Sequence, residues 1–133
     1  CRPGPHGQPL MRLPGSARAP VPYLAYAPGA YLARVVEWVL RQAPQPAHLE
    51  RVYETDMAES LKAMAIEGHG VAFLPASAVQ PALADGRLVP AAADPQPWCG
   101  ELEIRLYRAR GDRLKPAAQR LWDDVALLAR QRG

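Results

Sequence analysis

The chain of 133 residues is poor in several things, and each shortage removes a class of function. It has two cysteines, Cys1 and Cys99. Two isolated thiols make neither a disulfide framework nor a metal-ligand spacing, so they read as free thiols in a reducing compartment. His6, His48 and His69 share no ligand spacing, and no metal site is expected. No apolar run approaches the ~20 residues of a membrane span. The opening stretch, CRPGPHGQPLMRLPG, lacks the apolar core of a secretory signal. It also lacks an initiator Met, so the chain reads as a piece of something longer. Of 16 basic residues only Lys62 and Lys115 are lysines, and the net charge of +3 is too small to argue for nucleic-acid binding by itself. Ser60 and Ser77 lack a G-x-S-x-G setting. Asp123 and Asp124, side by side on a helix, diverge by about a third of a turn and cannot share a proton. The chain is therefore expected to be no enzyme and to need no cofactor.

What is present suits one domain with a real core: 49% hydrophobic and 22% charged residues. Of fifteen prolines, all but Pro116 cluster at 3–28, 44–46 and 75–97, where they punctuate the chain and form no polyproline tract. Residues 1–20, broken by five prolines, read as an extended connector. Residues 21–28, VPYLAYAP, form an apolar strand ending in Pro-Gly. The next segment places Leu32, Val35, Val36, Val39 and Leu40 on one helical face, and Pro44 stops it. Residues 48–55 read as a strand. Asp56, with Glu59 three residues on, has the form of a capping box for a helix through Leu61, Met64 and Ala65. Gly68 fits the left-handed position after that helix.

VAFLP, 71–75, reads as a strand buried on both faces. A short helix interrupted at Pro81 and ended by Gly86 follows, then a brief strand at 87–91 and a loop to residue 100. Residues 101–110 alternate Leu102, Ile104 and Leu106 with Glu103, Arg105 and Tyr107, a strand with one wet face. Arg105, Arg108, Arg110 and Arg113 read as a solvated face. Residues 116–131 form a helix with a stripe of Ala118, Leu121, Trp122, Val125, Leu128 and Ala129. Alternating strands and helices give an α/β class with a largely parallel sheet.

Gly68-His69-Gly70 invites comparison with a dinucleotide fingerprint. That motif follows a strand and opens a helix, so that phosphate meets the helix N-terminus. Here the glycines follow a helix and precede a strand, and the third position is Phe73. The phosphate reading fails on the order of the elements.

The segments AIEGHGVAFLPASAV, ALADGRLVP, LEIRLYRAR and KPAAQRLWDDVALL, with PYLAYAPGAYLARVVEWVL ahead of them, resemble in order and spacing the C-terminal half of the effector-binding domain of LysR-type transcriptional regulators. The resemblance covers residues 21–133. It implies a periplasmic-binding-protein-like type II fold, three-layer α/β/α, present here as an incomplete domain. Residues 1–21 would be a connector from subdomain one, 22–100 subdomain two, and 101–133 the return strand and terminal helix of subdomain one. It implies a small-molecule effector in the cleft between subdomains, a homo-oligomer, a cytoplasmic location away from any membrane, and DNA contact only through an upstream helix-turn-helix domain.

Ligands of open α/β sheets gather at the carboxyl ends of strands. The resemblance carries the effector contacts to such junctions: Pro28 and Gly29; Thr55, Asp56 and Met57; Phe73 and Pro75. Each has a plainer use. Asp56 can cap a helix, Phe73 can fill a core, and Thr55 can satisfy a turn. YETDMAESLKAMA also resembles the hypochlorite-responsive branch of the family. There, oxidation of Met57 or Met64 to the sulfoxide would make an apolar side chain polar and repack the cleft. A solute-binding protein of a transporter, which shares the fold, is the alternative.

Overall fold

A computed structural model describes residues 1–103, 105–109, 111 and 114–131, and divides the chain into two compact units, Cys1–Glu101 and Leu102–Gly133. The first unit is built on a three-stranded sheet. Its elements are β1 (Val21–Tyr26), α1 (Tyr31–Gln42), β2 (Leu49–Thr55), α2 (Ala58–Glu67), β3 (Val71–Ala72), α3 (Ala76–Ala84) and a 3₁₀ turn, Gln96–Trp98. The strand order is β2-β1-β3, both pairings parallel. Parallel neighbours need crossover connections, and α1 and α2 supply them.

β1 is the central strand, and its sequence explains why. Val21, Leu24, Ala25 and Tyr26 are all buried, the near-continuous apolar run of a strand covered on both faces. The core gathers Leu24, Tyr26, Val36, Leu61, Ala65, Ala82 and Leu88. Leu24 and Leu61 are wholly buried, and burying a leucine is worth roughly 1.5–3 kcal/mol. Along α1 the apolar stripe docks as its spacing predicts, with Val36 and Val39 buried and Leu32, Val35 and Leu40 half-buried.

The glycines of the Gly-His-Gly step have separate tasks. Gly68 caps α2 in the left-handed region, φ 90°, where its N–H donates to Ala65 O at 3.1 Å. Gly70 has no room for a side chain: a Cβ there would lie 2.8 Å from the Pro22 carbonyl oxygen and 2.9 Å from Leu24 Cγ. It lets β3 come up against β1.

Five local expectations are corrected. The strand over 71–75 is only Val71–Ala72, because the ladder to β1 ends at the Leu24–Ala72 pair. Residues 87–91 form no strand; Val89 instead donates to the Cys1 carbonyl at 2.8 Å, and Leu13 donates to Ala91 O. α3 is not interrupted at Pro81 but runs through it, the proline costing only the bond to the Ser77 carbonyl. Residues 1–20 are not simply extended: Pro3 bridges Pro9, Ser16 bridges Ala19, and Gly7 and Gly15 take positive φ. The capping box at Asp56 does not form. α2 begins a residue later, with Met57 at the N-cap position and no side-chain cap bond.

In the second unit, α4 spans Pro116–Gln131. The strand expected over 101–110 is absent among the described residues: 101–103 and 105–109 join no sheet, and Ile104 and Arg110 lie outside the description. Alternation prepares a strand, but a strand exists only with a neighbour to take its backbone bonds. Arg105 pairs with Glu103, and Arg108 lies over the Trp122 ring at 4.8 Å. Arg113 is likewise outside the described residues. Leu121, Val125 and Leu128 of the α4 stripe are exposed.

Candidate functional site

The order β2-β1-β3 fixes where the direction of the connections reverses. The chain leaves β1 toward β2 on one side, then crosses to β3 on the other. The connections diverge at the carboxyl ends of β1 and β3, the topological switch point at which open α/β sheets bind ligands.

Of the expected site residues, Pro28 and Gly29 follow β1 and Phe73 and Pro75 follow β3, whereas Thr55, Asp56 and Met57 follow β2, on the other side of β1 from the switch point. Beyond β1, the Ala27 N–H donates to Thr55 O at 2.9 Å, which fastens the end of β1 to the end of β2. Pro28 and the left-handed Gly29 (φ 89°) then turn the chain into α1. Thr55 stands opposite Tyr26 in register. Its hydroxyl accepts from Met57 N–H at 3.3 Å, a local turn that carries the chain past Asp56 and starts α2. So Thr55, Asp56, Met57, Pro28 and Gly29 lie at adjoining strand ends. Asp56 is exposed and Met57 is 59% exposed.

Two other expected residues are used differently. Phe73 sets its ring edge-on to Tyr23, centroids 6.1 Å apart, and packs against the core. Pro75 is the N-cap residue of α3. Met64, half-buried, also packs against the core, whereas Met57 precedes the helix and is open to solvent.

The electrostatics follow from the helices. α1, α2 and α3 all begin at this end of the sheet, with Ala30, Met57 and Pro75 at their N-cap positions and no side-chain cap on any of them. Helix N-termini carry partial positive charge. The first turns of α1 and α3 hold no acid; that of α2 holds Glu59, which pairs with Lys62. Glu54 is likewise neutralised by Arg51 at 2.7 Å.

Two features escape sequence reasoning. Tyr26, the last residue of β1, is buried, and its hydroxyl is the only buried side-chain polar atom without a partner among the described residues. Burial pushes its pKa up to about 12, with Tyr23 adding to the shift. Lys62 reaches from α2 to α3, its Nζ donating to Ala78 O at 3.1 Å. Neither leaves a sequence signal, since both depend on what the fold packs nearby.

A cavity of about 320 Å³ lined by Arg2, Pro3, Ile66, Glu67 and Arg87 lies at the opposite end of α2. Its arginines are occupied: Arg2 donates to the Glu67 carbonyl at 3.3 Å, and Arg87 is held by Asp85 at 2.8 Å. It is a helix-end feature, away from the switch point.

A parallel sheet with a switch point in its strand order and helix N-termini that no side chain caps defines an open α/β domain. Comparison with known proteins gives its family. The model of the LysR substrate binding domain matches residues 8–128, and the chain belongs to that family. Its fold is accordingly the periplasmic-binding-protein-like type II α/β fold, present in part. A transporter's solute-binding protein is set aside.

The HTH-type transcriptional regulator YjiE of Escherichia coli is 29% identical over 126 residues, 94% of this chain and 39% of YjiE. The regulatory domain of a methionine-to-glutamine mutant of HypT from Salmonella typhimurium is 29% identical, with a TM-score of 0.62 over 71% of this chain and 52% of that one. Full-length HypT, described as a hypochlorite-specific LysR-type transcriptional regulator, shares the fold at 22% identity, with a TM-score of 0.65 over 94% of this chain and 40% of that one. The chain thus spans about two fifths of the length of YjiE.

Proposed function

We propose that this domain is the sensing part of a cytoplasmic LysR-type regulator. It takes up a small effector at the carboxyl ends of β1, β2 and β3 and thereby controls DNA binding by a helix-turn-helix domain of the same protein. Residues 1–21 act as connector, 22–100 as subdomain two, and 101–133 as the part of subdomain one that returns to it. The observation that carries the reading is that three helix N-termini which no side chain caps gather at the end of the sheet that holds the switch point. The first turns of α1 and α3, free of acids, favour an electronegative group on the effector. Asp56, ahead of α2, disfavours one there. An anionic or carbonyl end therefore belongs beside Pro28, Gly29 and Pro75, and the less polar end beside Thr55 and Met57.

The test is a reporter gene under the full-length regulator. Thr55→Ala and Met57→Ala should shift the response at unchanged protein level, and a wild-type response in both would reject the site. A second reading, in which an oxidant is the effector, is favoured by the exposure of Met57 at the junction. Under it, Met57→Ile should blind the regulator to hypochlorite, while Met64, packed against the core, contributes less. The regulator works as a homo-oligomer, and the exposed stripe of α4 supplies apolar surface for assembly.

A further inference from the structure

We infer that Lys62 is a positioning residue that holds the start of α3 against the start of α2, so that the two strand-to-helix junctions of the candidate site move as one. The inference deepens the reading of that site and rests on it. The geometry is specific. From the first half of α2, Lys62 Nζ donates across to the Ala78 carbonyl, in the first turn of α3, at 3.1 Å. It also contacts the Glu59 carboxylate at 2.5 Å. The Lys62 side chain is only 23% exposed, against 65% for Glu59. The link to α3 is thus the sheltered one, and the pair with Glu59 lies on the surface, where ion pairs count for little.

α3 has reason to need this tie. No side chain caps its N-terminus, and Pro81 leaves the Ser77 carbonyl without its intrahelical donor. Its first turn is therefore held by fewer bonds than a nine-residue helix normally has. A neighbour's ammonium on the next carbonyl adds a bond to that turn from outside the helix. The choice of residue agrees: in a chain whose basic residues are almost all arginine, one of two lysines stands here. A compact ammonium with three rotatable donors suits a gap between two helices. α2 begins after Thr55–Met57 and α3 after Phe73–Pro75, so Lys62 joins the two junctions to which effector contacts are assigned.

The experiment compares Lys62→Met, Lys62→Arg and Glu59→Gln by hydrogen exchange, which needs no effector. Met keeps the apolar stem and removes the donor; Arg keeps a donor. If the tie acts as inferred, Lys62→Met speeds exchange of the Ala78 amide, which donates to Pro75 O, and of the amides at 80 and 82 about tenfold. Exchange in β1 and β2 stays unchanged, Lys62→Arg restores most of the protection, and Glu59→Gln behaves as wild type. Wild-type exchange in Lys62→Met would overturn the inference, because stem packing alone would then account for the residue. So would equal acceleration across the sheet, which would mark general destabilisation. A reporter assay of the full-length regulator separates this from the functional reading. A response changed by Thr55→Ala but not by Lys62→Met removes the positioning role alone. A response changed by neither removes the site itself, and the positioning role with it.

Discussion

Replacing Gly70 by alanine tests how tightly β3 is set against the central strand. The backbone at Gly70 is of ordinary φ, so the substitution brings no left-handed strain. It brings one methyl group into occupied space. That carbon would lie 2.8 Å from the Pro22 carbonyl oxygen, 2.9 Å from Leu24 Cγ and 3.1 Å from Leu24 Cδ2. Neither neighbour can yield cheaply. Pro22 belongs to the backbone of β1, which is paired on both sides, and Leu24 is wholly buried at the centre of the core. Overpacking of this kind costs about 1–3 kcal/mol. For a chain of this size each kcal/mol moves the melting temperature by about 3–5 °C, so Gly70→Ala should melt roughly 3–15 °C lower. Circular dichroism melts and urea midpoints measure it. Gly86→Ala serves as control: its Cβ would meet nothing within 4 Å, and only its φ of 73° is strained, at about 1–2 kcal/mol. Adding Leu24→Ala to Gly70→Ala should recover part of the loss relative to the sum of the single changes, because half of the clash is with Leu24 itself. A Gly70→Ala melt within 1 °C of wild type, or strict additivity with Leu24→Ala, would refute the close-approach account.

Asp56→Ala should change stability by no more than about 0.5 kcal/mol in a urea titration, the range of a surface substitution, since its carboxylate makes no cap bond. Tyr26 stays protonated when folded up to about pH 12, while an unfolded tyrosine ionises near pH 10. The stability this supplies is fully present below pH 10 and lost as pH rises toward 12. Tyr26→Phe, which also removes an unpaired buried hydroxyl, should leave the urea midpoint at pH 8 equal or higher and flatten its fall at pH 11. The chain by itself should show no sequence-selective DNA binding in a gel shift at moderate salt. With Leu121, Val125 and Leu128 exposed on α4, it should scatter light as more than a monomer during gel filtration at micromolar concentration.

The parts of the fold legible in the sequence are those in which one short segment contains its own reason. The stripe of α1 repeats every three to four residues, and β1 is apolar almost throughout. Gly68 can take a φ that other residues avoid. The parts that were not legible depend on a partner. Leu102–Tyr107 has the alternation of a strand, yet among its described residues no neighbour takes up the backbone bonds. VAFLP has the composition of a five-residue strand, yet Phe73 leaves the ladder and packs on Tyr23. At the candidate site the same division holds. Asp56 followed by Glu59 has the spacing of a capping box, but the Thr55 hydroxyl takes the Met57 N–H first and moves the helix start past the aspartate. The order of strands, which creates the switch point, sets at the centre β1, the strand buried at four of its six residues. Lys62 and Glu59, three apart on α2, look from the sequence like an ordinary surface ion pair. Only the packing of α3 beside α2 turns that lysine inward to a backbone carbonyl. A bond of that kind leaves no trace in residue spacing, because its acceptor is an atom every residue carries.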